Sequence, residues 1–168
     1  MASLGVFFAL TEADTTALFD ADGDDAVRRL VKEEIEERWD EEWTCEVDKA
    51  WDAMHRCLSD GTLAPNGTLA PDGSPRSSLF FGGRRLHLGD EYVVRFLEPA
   101  QVRDAADAIG ELDESWFRRR YDTLDAHGYD GPHDDEDFGY TWEYFVEVRA
   151  FIQKAADAGR PVLFTVDQ

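Results

Sequence analysis

The stretch Leu4-Gly-Val-Phe-Phe-Ala-Leu10 decides the fold class, because it is an apolar run with little alternation near the start of the chain. A strand that is wetted on one face alternates apolar and polar residues, whereas a strand covered on both faces is apolar throughout. Residues Val162 to Val166 form a second apolar run near the other end. We therefore predict two strands, the first interior to a sheet, with helices on both faces of that sheet.

Helical periodicity fills much of the chain between these two strands. The first predicted helix is short, is capped by Thr11 and ends near Phe19, and the second spans about 25–39 with Val27, Val31, Ile35 and Trp39 on its apolar face. The third spans about 49–59 and is capped by Asp48. The last three are a helix that begins at Pro99, one over about 114–121 and one over about 140–158. Two further strands are predicted at Ser78–Phe81 and Tyr92–Leu97, and residues 123–138 are predicted as loop. This order predicts an α/β fold, with a small mixed sheet flanked by helices in a three-layer α/β/α arrangement.

The chain length predicts one domain. The 168 residues fit a single domain over 1–168 and are enough to bury a core. An internal duplication, Gly61-Thr-Leu-Ala-Pro-Asn followed by Gly67-Thr-Leu-Ala-Pro-Asp, is rich in Gly and Pro and has too few units for a solenoid. We predict that it belongs to an exposed loop insertion over about 60–76 without chemistry of its own.

The charge balance is strongly acidic. Lys and Arg total 17, and Asp and Glu total 37, which gives a formal net charge of −20. A field of this sign repels nucleic acid phosphates and anionic membrane surfaces and attracts basic proteins. We therefore expect a basic protein partner, no nucleic acid and no membrane, while the oligomeric state stays open. The alternative is that the acidity serves solubility alone.

The sequence predicts a cytoplasmic protein. Residues 1–10 lack the basic start of a secretion signal, and no stretch approaches the roughly 20 apolar residues that span a bilayer. The two cysteines, Cys45 and Cys57, are then expected to be reduced thiols.

The most specific segment is Asp48-Lys-Ala-Trp-Asp-Ala-Met-His-Arg-Cys-Leu58. On a helix, Trp51 falls in the buried stripe, His55 and Asp48 lie at its border, and Asp52 lies nearer water. A histidine beside a carboxylate can act as a general base with an orienting acid, which makes His55, Asp48 and Asp52 the catalytic candidates. The alternative is structural: Trp51 and His55 anchor the helix, with the imidazole bonded to a carbonyl.

Aromatic residues supply the binding candidates. Trp51, Tyr121, Tyr140 and Trp142 are of the types favoured as interface anchors, although dense aromatics usually indicate core. The acidic stretch at 20–25 departs from a calcium loop, and the His and Asp residues of 127–137 match no known metal spacing. We therefore expect no metal and no cofactor, and the sequence leaves open whether the protein is an enzyme.

The segment 48–58 resembles the DKxWxxLHxxL helix of the YfbM-like proteins, a bacterial family of unknown function. Further similarities are the Phe81-Gly-Gly83 turn, the strand at 92–97 with its Pro-started helix, the segment 116–122, and Trp142 with the helix that follows. The resemblance spans nearly the whole chain and implies a single α/β domain with a helix-flanked sheet. It implies no activity, and it carries over Trp51 and His55 only as signature positions.

Three functions remain as expectations. The first is a cytoplasmic protein-binding module, in the form of an inhibitor or immunity-type partner of a basic protein, because of the net charge and the lack of a complete catalytic motif. The alternative is a small-molecule-binding protein or an enzyme whose site lies at the Asp48–His55 helix, which requires a concave pocket and an exposed His55. The third is a domain whose acidity and aromatics serve folding and solubility only.

Overall fold

The computed structural model describes residues 3–59, 74–124 and 129–167. Within these ranges the chain forms five β-strands and seven α-helices. The strands are β1 (Gly5–Ala9), β2 (Thr44–Asp48), β3 (Arg84–Arg85), β4 (Tyr92–Leu97) and β5 (Val162–Asp167). The α-helices are α1 (Glu12–Asp20), α2 (Asp24–Leu30), α3 (Trp51–Leu58), α4 (Ser78–Phe81), α5 (Pro99–Gly110), α6 (Glu114–Tyr121) and α7 (Asp135–Asp157). A π-helical segment, Val31–Glu36, continues α2, and a 3-10 turn, Glu41–Trp43, precedes β2.

The five strands form one sheet in the order β2-β1-β5-β4-β3. The predicted α/β class is confirmed, and β1 and β5 lie inside the sheet as their apolar sequences indicate. Every pairing is antiparallel, so the expected mixture of strand directions is wrong. The reason is that a strand buried on both faces is apolar whatever the direction of its neighbours. The central register pairs Phe7 with Phe164, and Phe164 with Arg95.

Helices cover both faces of the sheet and give the three predicted layers. On one face, α1, α2 and the π-helical segment pack against Val6 and Phe8 of β1. On the other face, α3 to α7 enclose a larger core that includes Phe7 of β1 and Phe164 of β5. Successive strand residues point to opposite faces, so both sets of β1 side chains are buried. This double burial explains why the run from Leu4 to Leu10 does not alternate.

The helix starts are set by local capping. The Thr11 side chain accepts a hydrogen bond from the Asp14 N–H at 3.1 Å and so begins α1, as the sequence predicts. The Asp134 carboxylate accepts from the Asp137 N–H at 2.8 Å and begins α7. This cap places the start of α7 at Asp135, earlier than the predicted position near 140.

The segment Ser78–Phe81 is a helix and not the predicted strand. The Ser78 N–H donates to the Ser74 carbonyl at 3.0 Å, and the Gly82 N–H donates to the Ser78 carbonyl at 2.9 Å, which are helical spacings. A short apolar run carries no periodicity that separates a strand from a buried helical turn, and this ambiguity accounts for the error.

Asp48 and Trp39 also differ from their predicted roles. Asp48 ends β2 with a positive φ of 47° and α3 begins at Trp51, so Asp48 is not the N-cap of that helix. Trp39 has a φ of 39° and is 37% exposed, whereas Val31 and Ile35 of the same predicted face are buried. The apolar face therefore ends before Trp39.

The duplication at 61–72 and His127 lie outside the described residues, so their predicted roles stay predictions. Among the helices of the ranges given above, none is both long enough and apolar enough to cross a membrane.

Candidate functional site

His55, the first catalytic candidate, lies in the core. Its side chain is 2% exposed, and its ring meets the edges of Phe80 and Phe81 at centroid distances of 5.9 and 4.8 Å. A general base must reach a substrate, so the expectation of an exposed His55 is wrong. The residue is buried because α4, predicted as a strand, packs its two phenylalanines over α3.

The other residues of this segment make structural contacts. The Trp51 indole N–H donates to the Ser3 carbonyl at 2.8 Å and ties α3 to the start of the chain. The Asp52 carboxylate accepts from Arg56 Nε at 2.6 Å within the same helix. Trp51 is buried, so it is a core anchor and not an exposed binding residue.

Asp48 and Tyr140 are brought together where β2 meets α7. The Lys49 N–H donates to the Tyr140 hydroxyl oxygen at 3.3 Å, and this hydroxyl also hydrogen-bonds the Asp48 carboxylate. Burial, together with that carboxylate, raises the pKa of Tyr140 to about 12. The tyrosine is therefore a neutral donor that holds the end of β2 in place.

Tyr121 and Trp142 belong to the same aromatic part of the core, where Phe138 and Phe117 join them. The Tyr121 hydroxyl donates to Asp137, and the Tyr129 hydroxyl donates to the same carboxylate oxygen at 2.8 Å. Burial and this carboxylate raise the pKa of both tyrosines. Trp142 packs on Phe117 at 5.7 Å between ring centroids. All four predicted binding aromatics therefore belong to or pack against the larger core, and their role in binding stays a prediction.

A groove of about 520 Å³ lies along β2, with α7 on one side and Trp39 on the other. Four exposed glutamates line it: Glu41 and Glu42 from the turn before β2, Glu46 from β2, and Glu147 from α7. Chain entry through the 3-10 turn puts the first two beside the strand. The result is a concave acidic surface assembled from segments about 100 residues apart.

The charges of this groove are largely uncompensated. Lys154 also lines it and is held by Glu42, with Nζ 2.7 Å from the Glu42 carbonyl oxygen and 3.8 Å from its carboxylate. Glu41, Glu46 and Glu147 make no ion pair within the described part of the chain.

Carboxylates elsewhere are often paired. Asp14 binds Arg38 at 2.7 Å, and Arg118 bridges Asp122 at 2.9 Å and Asp135 at 2.7 Å. Glu41, Glu46 and Glu147 of the acidic groove differ from these carboxylates because no cation of the described residues forms an ion pair with them.

Burial and the negative charge of the groove raise the pKa of two side chains in its lining, Tyr144 and Cys45. Burial raises the pKa of Tyr144, and the charges of Asp48, Glu46 and Glu147 raise it further. Burial raises the pKa of the Cys45 thiol to about 12, and Glu147 adds to the effect. The carboxylates therefore disfavour ionisation of Tyr144 and Cys45, and by the same electrostatic effect they favour a bound cation.

Aromatic rings accompany the glutamates. Trp39 lines one end of the groove, and Tyr144 lines the α7 side, where its ring meets that of Tyr140 edge-on at 5.0 Å. Rings beside carboxylates suit Lys and Arg, whose cationic heads bind acids and the faces of aromatic rings. The site can thus recognise a basic polypeptide through both charge and stacking.

Sequence reasoning missed this groove. Glu41 and Glu42 stand in an acidic stretch that reads as wet surface, and Glu46 lies on a strand that periodicity did not reveal. The only sequence signal was the global charge, which does not say where the acids gather. Tertiary packing of α7 beside β2 brings Glu147 to them.

A larger cavity of about 700 Å³ lies where α1 and α5 begin, and its lining is mostly apolar. Two of its polar side chains stabilise the start of α1: the Thr11 hydroxyl oxygen caps the helix, and the Thr15 hydroxyl donates to the Thr11 carbonyl at 3.0 Å. In residues 3–59, 74–124 and 129–167, no group of three or more His, Cys, Asp or Glu side chains is arranged to hold a metal ion.

Comparison with known proteins gives a family and a fold. The family model described as a domain of unknown function, DUF1877, matches residues 1–165. The crystal structure of YfbM, a protein of unknown function from Escherichia coli, superposes with a TM-score of 0.71 at 15% identity, over 97% of this chain and 99% of that one. No curated protein matches the chain.

Proposed function

The chain belongs to the DUF1877 family, a family without a described activity, and from the geometry of the acidic groove we propose that the protein is a binding module for a basic protein partner. The observation that carries the proposal is the set of three exposed glutamates without cation partners, Glu41, Glu46 and Glu147, around one concave surface.

The charge of the whole chain supports the same partner class. A net charge of −20 attracts a cationic protein from a distance and raises the association rate at low salt. Trp39 and Tyr144 then supply short-range contacts of the kind that anchor interfaces. In the finer form of the proposal, the groove covers a basic surface that the partner needs for its own activity, so binding inhibits it.

We further propose that this encounter takes place in the cytoplasm of a bacterium. Cys45 and Cys57 are both free thiols, the form expected in a reducing compartment. Both are buried, so neither is offered to a partner as a reactive group.

The small-molecule alternative has less support. It depended on an exposed His55 in a concave site, and that side chain is packed between aromatic rings.

The test compares two variants with the same net charge. The groove variant carries Glu41→Gln, Glu46→Gln and Glu147→Gln. The matched control variant neutralises three exposed acids on and just after α5, and its substitutions are Asp104→Asn, Asp107→Asn and Glu111→Gln. Each variant loses three negative charges, so any difference between them reports position and not total charge.

Tagged wild type and both variants are used to capture proteins from the host lysate at low salt. We expect wild type and the control variant to retain one basic protein in stoichiometric amount, and the groove variant to lose it by about tenfold or more. Equal capture by both variants, or no stoichiometric basic protein on wild type, would show that the groove is not the binding surface.

A further inference from the structure

The acidic groove lies beside an edge of β2 whose backbone groups are available for hydrogen bonds to another chain. In the described part of the chain, β2 pairs with β1 on one side and with no strand on the other. A strand at a sheet edge exposes a row of unpaired N–H and C=O groups that can template another chain.

The opposite edge of the sheet is closed to such pairing. It is formed by β3, which has only two residues, and the Arg85 side chain there is engaged with the His87 carbonyl at 3.1 Å and Asp90 at 3.0 Å. By contrast, β2 has five residues, about the usual length of a strand. The sheet therefore offers β2 as its longer edge. This edge is regular over residues 44–46 and has a register shift against β1 between Gly5 and Val6.

Both faces beside this edge carry acid and aromatic groups. Cys45 of β2 is buried on the α7 side, where Tyr144 and Glu147 stand beyond it. Glu46, the next residue, points to the other face, where Trp39 packs against Phe8 of β1 at 6.2 Å. An added strand would present its alternate side chains to these two faces, each of which suits Lys or Arg.

We propose that the partner binds by adding an extended, basic segment as a sixth strand on the free edge of β2. This inference rests on the proposed function and specifies how the acidic groove takes its partner. Main-chain hydrogen bonds to β2 supply affinity, and Glu46 and Glu147 select cationic side chains on opposite faces of the added strand. An acidic edge also prevents pairing between two copies of this chain, since both would bring the same charge.

The probe is a synthetic peptide of Lys and Val, about seven residues long so that it spans the five residues of β2. Lys stands at both odd and even positions, so each face of the added strand carries cationic side chains. A second peptide has the same side chains with every backbone nitrogen methylated, so it keeps the charge and loses its N–H donors. Affinity is measured for wild type, the groove variant and the control variant, and amide hydrogen exchange is followed in β2 and, as an internal reference, at Arg84 and Arg85 of β3.

We expect the unmethylated peptide to slow exchange of the outward β2 amides by about tenfold or more and to leave the β3 amides unchanged, because new hydrogen bonds form only at β2. The methylated peptide should bind at least about tenfold more weakly, since the main-chain bonds are lost. The groove variant should bind the unmethylated peptide more weakly than the control variant does.

Two results separate the two proposals. If both peptides bind equally and the β2 amides exchange as in the free protein, while the groove variant still binds more weakly, strand addition is wrong and the acidic docking surface stands. If the groove and control variants bind equally, the surface itself is wrong. Absence of binding by the unmethylated peptide would also overturn strand addition by a basic segment.

Discussion

At the scale of single residues, identity alone did not say which polar groups are structural. His55 stands in the family-like segment beside acids, yet its ring fills a space between Phe80 and Phe81. In the sequence, Asp24 is only one residue of an acidic stretch that departs from a calcium loop. In the structure its carboxylate accepts hydrogen bonds from the Leu88 N–H at 2.8 Å and the Gly89 N–H at 2.9 Å, and it fastens the loop after β3 to α2.

The stability lost on the Asp24→Asn change should depend on pH. Chiefly the Leu88 N–H, then the Gly89 N–H and the nearby His87 and Arg85, hold the pKa of Asp24 below its ordinary value. A lowered folded-state pKa stabilises the fold above about pH 3.9, the unfolded value, and this contribution disappears as the pH falls through the folded value.

Urea unfolding at pH 7 should therefore show the Asp24→Asn variant to be less stable than wild type, with a gap that narrows below about pH 4. The exposed neighbour Asp25 gives the control, and Asp25→Asn should have a smaller effect at pH 7. A gap for Asp24→Asn that is the same at pH 7 and below pH 4 would contradict the assigned role of the carboxylate.

At the scale of elements, capping residues and long amphipathic faces predicted the helices correctly, whereas the secondary structure of short apolar segments could not be predicted from their sequence. Thr11, Pro99 and Asp113 mark helix starts in the sequence, and all three helices begin there. Ser78–Phe81 was misassigned because four apolar residues carry no period. Close backbone approach is also invisible in the sequence: a Cβ on Gly83 would fall on the Phe96 carbonyl oxygen and 2.6 Å from its carbon.

The Gly83→Ala substitution should destabilise the protein by about 1–3 kcal/mol, because the methyl group overlaps the β4 backbone just before β3 pairs with it. Gly139→Ala is the matched control, since nothing lies within 4 Å of its Cβ position in α7. There alanine should be neutral or stabilising by up to about 1 kcal/mol. Equal effects in chemical denaturation would show that the contact between Gly83 and β4 is not tight.

At the scale of the whole molecule, charge and topology act together. The net charge of −20 is a property of composition, but its consequence depends on where cations stand. Arg28 and Lys32 reach Asp167 at 3.7 and 3.3 Å, whereas Glu41, Glu46 and Glu147 lack such partners. The concentration of unpaired charge in the acidic groove is expected to cost stability in the free protein, and under the proposed function a basic partner would offset this cost.

Added salt should therefore stabilise the free protein. Raising NaCl from about 10 mM to about 500 mM screens repulsion beyond a few ångströms, and the midpoint of thermal unfolding should rise. The rise is roughly 2–4 °C for each kcal/mol of repulsion removed in a protein of this size. At low salt the groove variant should unfold at a higher temperature than the control variant. A midpoint that falls with NaCl, or identical variants, would contradict this account.

Local patterns and composition predicted the α/β class, the interior position of β1, the apolar strand β5, most helices and the acidic character, because burial and charge depend on residue type and spacing. Contacts in the tertiary structure were needed to show that the described strand pairs are antiparallel, that His55 is buried, and that Glu46 and Glu147 line one groove from opposite faces of β2. These facts depend on contacts between segments far apart in the chain. Periodicity reports which face of an element is buried, but it does not report which element lies against that face.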